Sequence, residues 1–190
     1  MRIKLTEGIA KVQKKSALRL LRKLKSELPP DGVCYISGGS LRDFHHGWGC
    51  RDIDIFYHVP SDPFYKPKSF GKLETLGEYT EYYKNGNILS VYEYECTHGA
   101  LKYRPIQFIC MGEDPLNVIQ CDFPISLSRI WMGVDGKIFA TDEYEISYNH
   151  RIIHEESNAT WNYTYLNKIL GRYSEYCFMP HGWKGKRTPY

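Results

Sequence analysis

Apolar residues recur at helical spacing early in the chain: Ile9, Val12, Ala17, Leu20, Leu21, Leu24 and Leu28, with lysines and arginines between them. The pattern predicts an amphipathic helix over about 6–28. Pro29-Pro30-Asp31-Gly32 ends it, because proline cannot continue the hydrogen-bond ladder and Asp-Gly favours a turn. Val33-Cys34-Tyr35-Ile36 is a short apolar run rich in β-formers and reads as a buried strand. After Ser37-Gly38-Gly39-Ser40, Leu41-Arg42-Asp43-Phe44 reads as the first turn of a helix that Gly47-Trp48-Gly49 breaks. Asp52-Ile53-Asp54-Ile55-Phe56 then alternates acidic and apolar residues, the period-2 signature of a strand with two unlike faces.

Residues 60–86 are rich in Pro, Lys and Tyr and lack a clean period, which predicts a loop with one short helix near 72–83. Ile88 to Glu95 and Leu101 to Cys110 read as two strands around Thr97-His98-Gly99, hence a hairpin. Pro115 opens a short helix reaching Ile119, since proline suits the first helical position. Residues 120–131 and 137–141 read as a second hairpin, closed by Val134-Asp135-Gly136. Thr141 is a candidate N-cap for helical segments at 142–155 and 160–176, and the tail His181 to Tyr190 is short, basic and expected to be loose.

Composition narrows the class. At 42% hydrophobic and 15% aromatic, the 190 residues can bury a core, which excludes wholesale disorder. No stretch approaches the ~18 apolar residues of a membrane-spanning helix. The charged N-terminus lacks a signal-peptide apolar segment, so a soluble, cytoplasmic protein is expected. The six cysteines (Cys34, Cys50, Cys96, Cys110, Cys121 and Cys177) are scattered without a C-x-x-C pair and read as buried free thiols. Cys96-Thr97-His98 and the His150/His154 pair at i, i+4 are isolated and weak as metal candidates. Charge is uneven: residues 1–27 carry nine Lys or Arg against Glu7 and Glu27, a net of +7, which leaves −4 for the rest of a chain totalling +3. A basic helix beside a mildly acidic body suits contact with phosphates, and a solvated helix face is the plainer reading.

The chemistry-bearing segment is Tyr35-Ile-Ser-Gly-Gly-Ser-Leu-Arg-Asp-Phe44 followed by Arg51-Asp-Ile-Asp-Ile-Phe56. A strand ends in Gly38-Gly39-Ser40, where missing side chains let backbone N–H groups approach an anion. The helix that starts there favours a phosphate at its first turn, and Ser40 and Arg42 supply further donors. Asp52 and Asp54, at i and i+2 of a strand, share a face. Side by side they repel unless a cation sits between them, and Mg²⁺ or Mn²⁺ held there can bridge the oxygens of a phosphoryl displacement. Ile53, Ile55 and Tyr35 are expected to face the core that keeps the pair rigid.

This arrangement resembles the DNA polymerase β nucleotidyltransferase superfamily, whose signature is a Gly-Gly or Gly-Ser turn followed by Asp-x-Asp or Asp-x-Glu. Gly38-Gly39-Ser40-Leu41-Arg42-Asp43 and Asp52-Ile53-Asp54 most resemble the head domain of CCA-adding enzymes and bacterial poly(A) polymerases, over about residues 33–59 and more weakly to 142. The resemblance implies an α+β fold with a small mixed or antiparallel β-sheet flanked by helices. It also implies one nucleotidyltransferase domain over 1–190: a basic helix at about 6–28, a catalytic core at 33–142 and a helical segment at 143–180. It implies catalytic and metal roles for Asp52 and Asp54, nucleotide contacts from Gly38, Gly39, Ser40 and Arg42, and a nucleoside triphosphate as substrate. The superfamily's third carboxylate has Asp122 as its candidate here, in an otherwise apolar stretch read as a strand. The same stretch faintly resembles the Arg-Arg-Asp-x-x-x-Asn segment of CCA-adding enzymes, with Gln120, Cys121 and Ser126 in place of the arginines and the asparagine. A strand-end aspartate bonded to backbone is the plainer alternative.

Lys102, Arg104 and Arg129 are secondary candidates for substrate contact, although surface charge explains each of them. His45 and His46 are expected to be exposed and not catalytic, and Asp43 to cap or pack near the motif helix. Base-selecting and RNA-gripping domains are not evident in residues 143–190, so the expectation is a stand-alone head similar to short nucleotidyltransferases of phage and mobile elements. Three readings follow. The first is nucleotide transfer to the 3′ hydroxyl of an RNA, tRNA-like, gripped by the basic helix and by Lys184, Lys186 and Arg187 of the tail. The others are transfer to a protein or small molecule, and a non-catalytic nucleotide- or RNA-binding module.

Overall fold

The amphipathic stripe at the start of the chain forms a helix, α1 (Arg2–Glu27). Residues 2–76, 87–97, 99–155 and 163–182 are described by the structure, a computed structural model. Ala10, Gln13, Ala17, Leu21, Leu24 and Leu28 make up the buried side of α1, each three or four residues from the next. Ile9 and Val12 fall off that stripe and stand 51% and 55% exposed.

Seven strands form a mixed sheet on which α1 packs: β1 (Val33–Ser37), β2 (Ile53–His58), β3 (Glu74–Thr75), β4 (Ile88–Glu95), β5 (Pro105–Met111), β6 (Ile130–Met132) and β7 (Ile138–Ala140). Their order is β3-β4-β5-β2-β1-β6-β7. The β2–β5 pair is parallel and the other pairs are antiparallel. Helices α2 (Gly39–His45), α3 (Pro115–Cys121), α4 (Asp142–His150) and α5 (Tyr163–Arg172) complete the framework, with a small parallel pair of β8 (Ile152–His154) and β9 (Cys177–Met179). A mixed sheet flanked by helices is the α+β architecture expected.

The sheet has a core on each face. On one, Leu21 and Leu24 of α1 meet Ile36, Ile53, Ile55 and Tyr57, all fully enclosed. On the other, Val118 and Ile119 of α3, with Phe123, cover Phe56, Ile109 and Met111. Tyr35 belongs to this second face and not to that of Ile53 and Ile55, because antiparallel register sets it opposite Phe56. The β6–β7 hairpin is docked on α1: Arg22 Nε donates to Val134 O at 2.8 Å. Gly136 has φ +84° and lies so close to Leu18 that a Cβ there would stand 2.8 Å from Cδ2.

Several boundaries differ from those read in the pattern. Glu74–Thr75 is an edge strand where the short helix of 72–83 was expected, and the rest of that stretch lies outside the described residues. Residues 120–131 are not a strand. Helix α3 runs on to Cys121, Pro124 has no N–H to give a ladder, and only Ile130–Met132 pairs in the sheet. Thr141 does cap α4, accepting from Tyr144 N at 3.3 Å, but Arg151 enters the left-handed region (φ 56°) and stops the helix. His154 therefore lies on β8, and the i, i+4 pairing with His150 does not exist. Helix α5 ends at Arg172, short of 176. The tail from 183 lies outside the described residues.

Candidate nucleotide site

The site is built where β1 runs out. Ser37 ends the strand, and Gly38 turns the chain at φ 76°, ψ −140°, a conformation that costs other residues dearly. A Cβ at Gly38 would lie 3.5 Å from Asp54 Oδ2 and 4.0 Å from the Phe123 ring, so the turn lies alongside the second carboxylate. Gly39 is partly open to solvent, and Ser40 is buried. Ser40 Oγ has no hydrogen-bond partner among the described residues, a condition that costs about 1–3 kcal/mol when left uncorrected.

Asp52 and Asp54 are both half-buried and lie two positions apart on the face opposite Ile53 and Ile55. The loop that delivers them is fixed from α1. Gln13 Oε1 accepts from Cys50 N at 3.0 Å, and Gln13 Nε2 donates to Ala100 O at 3.2 Å. Burial first and the charge of Asp52 second push the Asp54 carboxyl up to about 7, against the opposing fields of Arg42 and Lys168. Two hard-oxygen ligands held together at this energetic cost fit a divalent cation of the Mg²⁺ or Mn²⁺ type. No group of three His, Cys, Asp or Glu converges as a metal cage among the described residues. Mg²⁺ does not require one, since it retains several waters and takes phosphate oxygens from its substrate.

Arg42 is anchored within the protein. It is buried, with Nε donating to Tyr173 Oη at 3.1 Å and Nη1 to Ser128 Oγ at 3.0 Å. Its charge therefore acts from beneath the turn: Nη2 would lie 3.5 Å from a Cβ on Gly39. Asp43 beside it is also buried and is gripped by α5. Arg172 donates from Nε to Oδ1 at 3.0 Å and from Nη2 to Oδ2 at 2.6 Å, and Tyr173 Oη donates to Oδ1. Arg172 also reaches Gly49 O at 2.8 Å, so one side chain ties α5 to both ends of the segment linking the turn to Asp52.

Asp122 does not lie on a strand, and among the described residues it forms no metal-holding group of three with Asp52 and Asp54. It is the C-cap residue of α3, half-buried, with its N–H bonded to Val118 O at 2.8 Å. The loop around it is braced by Arg129, which is buried and donates to Cys121 O at 2.7 Å and Phe123 O at 3.4 Å, a structural use of a residue considered for substrate contact. In register beside Asp54 on β5 is a neutral side chain, Gln107, whose Nε2 donates to Glu93 Oε2 at 3.2 Å. Lys102 and Arg104 are exposed.

The histidines close the far end of α2. His45 is exposed at its edge yet stacks on Tyr148 with centroids 4.2 Å apart. His46 is half-buried, contrary to expectation, bonded to Arg42 O and Tyr176 Oη at 2.7 Å each, and burial pulls it down to about 4. Of the cysteines, Cys34, Cys50, Cys96 and Cys110 are buried and free as expected, whereas Cys121 and Cys177 are exposed. His98 lies outside the described residues, so its pairing with Cys96 does too. Arg172, Tyr173 and Lys168 escaped the sequence reading: nothing local marks them, although a charged Asp43 in an apolar helix does demand a partner.

No family model and no curated protein matches the sequence. Among solved structures, the Thermotoga maritima CCA-adding enzyme complexed with tRNA matches 85% of this chain at 15% identity and a TM-score of 0.53. A CCA-adding enzyme in complex with CTP matches 85% at 15% identity and 0.57, and the apo form II of a CCA-adding enzyme matches 85% at 13% identity and 0.53. The chain spans 38%, 39% and 40% of those three chains, about two fifths of their length. No described helix is long and apolar enough to cross a membrane. With the Gly-Gly turn set against an Asp-x-Asp strand, the chain has the nucleotidyltransferase fold of the CCA-adding enzymes it resembles.

Proposed function

We propose that this chain is a metal-dependent nucleotidyltransferase that moves a nucleoside monophosphate from a nucleoside triphosphate to the 3′ hydroxyl of an RNA. One observation carries the reading: the Gly38 turn lies 3.5 Å, measured from a Cβ position, from a carboxylate that burial and Asp52 together leave uncompensated. In this reading Asp52 and Asp54 hold the divalent cation, which when bound neutralises phosphate charge and orients the attacking and leaving oxygens. The Gly39 and Ser40 N–H groups and the Ser40 hydroxyl hold the phosphates, and Arg42 adds positive field from beneath the turn. The acceptor hydroxyl gives up its proton to solvent as its oxygen bonds the α-phosphorus, the bond from that phosphorus to the α–β bridging oxygen breaks, and pyrophosphate leaves with that oxygen. Asp122 has no part in this step.

The RNA acceptor is supported by a second feature. Lys11 and Lys14 of the basic helix, Arg151, His45, Trp48 and Tyr148 line one concavity of about 580 Å³. Cations interleaved with aromatic rings suit a single strand, whose phosphates and bases they meet in turn. Lys184, Lys186 and Arg187 of the tail, outside the described residues, are proposed from their charge to help bind the RNA. A cytoplasmic setting, where free thiols persist, belongs to the proposal as well.

The test is label transfer with Mg²⁺ or Mn²⁺, each α-labelled triphosphate in turn, and total RNA or cell extract, beside an Asp52→Ala/Asp54→Ala control. Label entering RNA only with the intact pair is the expected result. Label in protein or a small molecule would replace the acceptor, and no transfer together with no triphosphate binding would overturn the chemistry.

A further inference from the structure

Sheet register sets a second feature in line with Asp54. Asp54 on β2 lies opposite Ser37 on β1, Ser37 opposite Trp131 on β6, and Trp131 opposite Phe139 on β7. Residues directly opposite across paired strands share a face, so the four form one row on the carboxylate side of the sheet. With strands about 4.8 Å apart, Trp131 lies about 10 Å from Asp54 and Phe139 about 14 Å away. The two rings are stacked, with centroids 6.0 Å apart and an interplanar angle of 20°. Trp131 rests on the cluster of Phe56 and Ile119, while Phe139 is 48% exposed. Helix α3 covers the apolar part of this face and stops short of β7, with which it shares no substantial contact.

We propose that Trp131 and Phe139 form a stacking platform for a nucleobase, one end of whose nucleotide is held at the Gly38-Gly39 turn and Asp54. This inference rests on the function proposed above and adds where the base goes. A flat aromatic pair with an open face accepts any base through its π surface, and desolvating both rings supplies affinity without a hydrogen-bond code. The span from Asp54 to Trp131 is one that a single nucleotide unit covers. The base comes from one of two sources, the incoming triphosphate or the terminal residue of the acceptor strand, and the same chemistry serves either. A cross-strand aromatic pair that only stabilises its hairpin would also be stacked, and the experiment must separate the two.

Calorimetric titration of the full chain with Mg²⁺ separates them, using inorganic tripolyphosphate, each nucleoside triphosphate and a single-stranded RNA oligonucleotide as probes. Phe139→Ala is exposed enough to leave the fold intact, and Phe139→Tyr keeps the ring. The expected result is a loss of roughly five- to hundredfold in affinity for triphosphate or for RNA in Phe139→Ala, restored in Phe139→Tyr, with tripolyphosphate binding unchanged. Loss confined to the triphosphates assigns the incoming base, and loss confined to RNA assigns the acceptor's terminal base. If Phe139→Ala binds all probes as the parent does and only its Tm falls, the pair is a hairpin staple and the platform is wrong. If the parent itself binds no tripolyphosphate, the phosphate site is wrong, a separate failure.

Discussion

Asp54 should weaken the metal-free protein near neutral pH, and the sign can be worked out. Its carboxyl sits at about 7 in the folded chain, against an ordinary value of 3.8. Between those two values the folded state holds a proton that the unfolded state has released, so stability falls as pH rises, by about 1.4 kcal/mol per unit. Above about 7 both states are ionised and the full penalty applies. The shift corresponds to about 4 kcal/mol, an upper figure because Asp54 is only half-buried and the site can relax or admit water. Asp54→Asn removes the charge and keeps the shape. Urea unfolding of both proteins in chelator, from pH 4 to pH 8.5, should give coincident stabilities at the acid end. The asparagine variant should then pull ahead by about 2–4 kcal/mol at the alkaline end. Added Mg²⁺ should recover stability in the parent and not in the variant, through binding to the folded state. Groups common to both proteins cancel in the difference. Parallel curves across the whole range would refute the reasoning, because they would mean that Asp54 titrates normally and the pair is not under charge stress.

Three further predictions rest on neighbouring residues. Ser40→Ala should cost no stability in the free protein, since the Ser40 hydroxyl has no partner there, yet should weaken triphosphate binding by roughly tenfold or more, read by calorimetry. Arg172→Ala should destabilise by about 3 kcal/mol in urea by leaving the Asp43 carboxylate buried without its cation; adding Asp43→Asn should recover part of that loss, the non-additivity of a shared pair. Asp122→Asn should leave turnover near the parent level in the label-transfer assay, whereas Asp52→Asn abolishes it; an equal loss in both would return Asp122 to the catalytic set.

How much of this was legible follows from how local each determinant is. Strand, Gly-Gly turn, helix start and acidic strand lie within about twenty residues, and each is signalled by its own residues: glycines where a side chain cannot fit, alternation where a strand has two faces. The mixed sheet and its flanking helices were expected from the family resemblance that this segment carries. Asp122 was placed on a strand because Val118 to Ile130 mixes apolar and polar residues without a clear helical period, and such a run does not separate a strand from a short helix followed by a braced loop. The discriminating features were Pro115 at one end, Pro124 in the middle and the buried Arg129, whose role depends on carbonyls that only the folded loop presents. Tyr35 went to the wrong face because a two-sided strand flanked by cores on both sides shows no polar alternation to read.

The deeper division is between groups satisfied by the chain and groups left unsatisfied. Asp43 and Arg42 look like Asp54 and Ser40 in the sequence: polar residues in an apolar setting, beside the same turn. Asp43 finds Arg172, 129 positions away, and Arg42 finds Tyr173 and Ser128, 131 and 86 positions away. Those partners make Arg42, a candidate ligand of phosphate, and its neighbour Asp43 parts of a buried brace, and no local pattern could announce it. Among the described residues Asp54 and Ser40 meet no such hydrogen-bonded partner: one carboxyl is driven up by burial and a neighbouring charge that Arg42 and Lys168 only partly offset, and one hydroxyl bonds nothing. A folded chain keeps such groups at a cost in stability, and a ligand that supplies the missing cation and phosphate oxygens removes that cost on binding. The site is therefore identified less by which polar residues cluster at the turn than by which of them the rest of the protein has left unpaired.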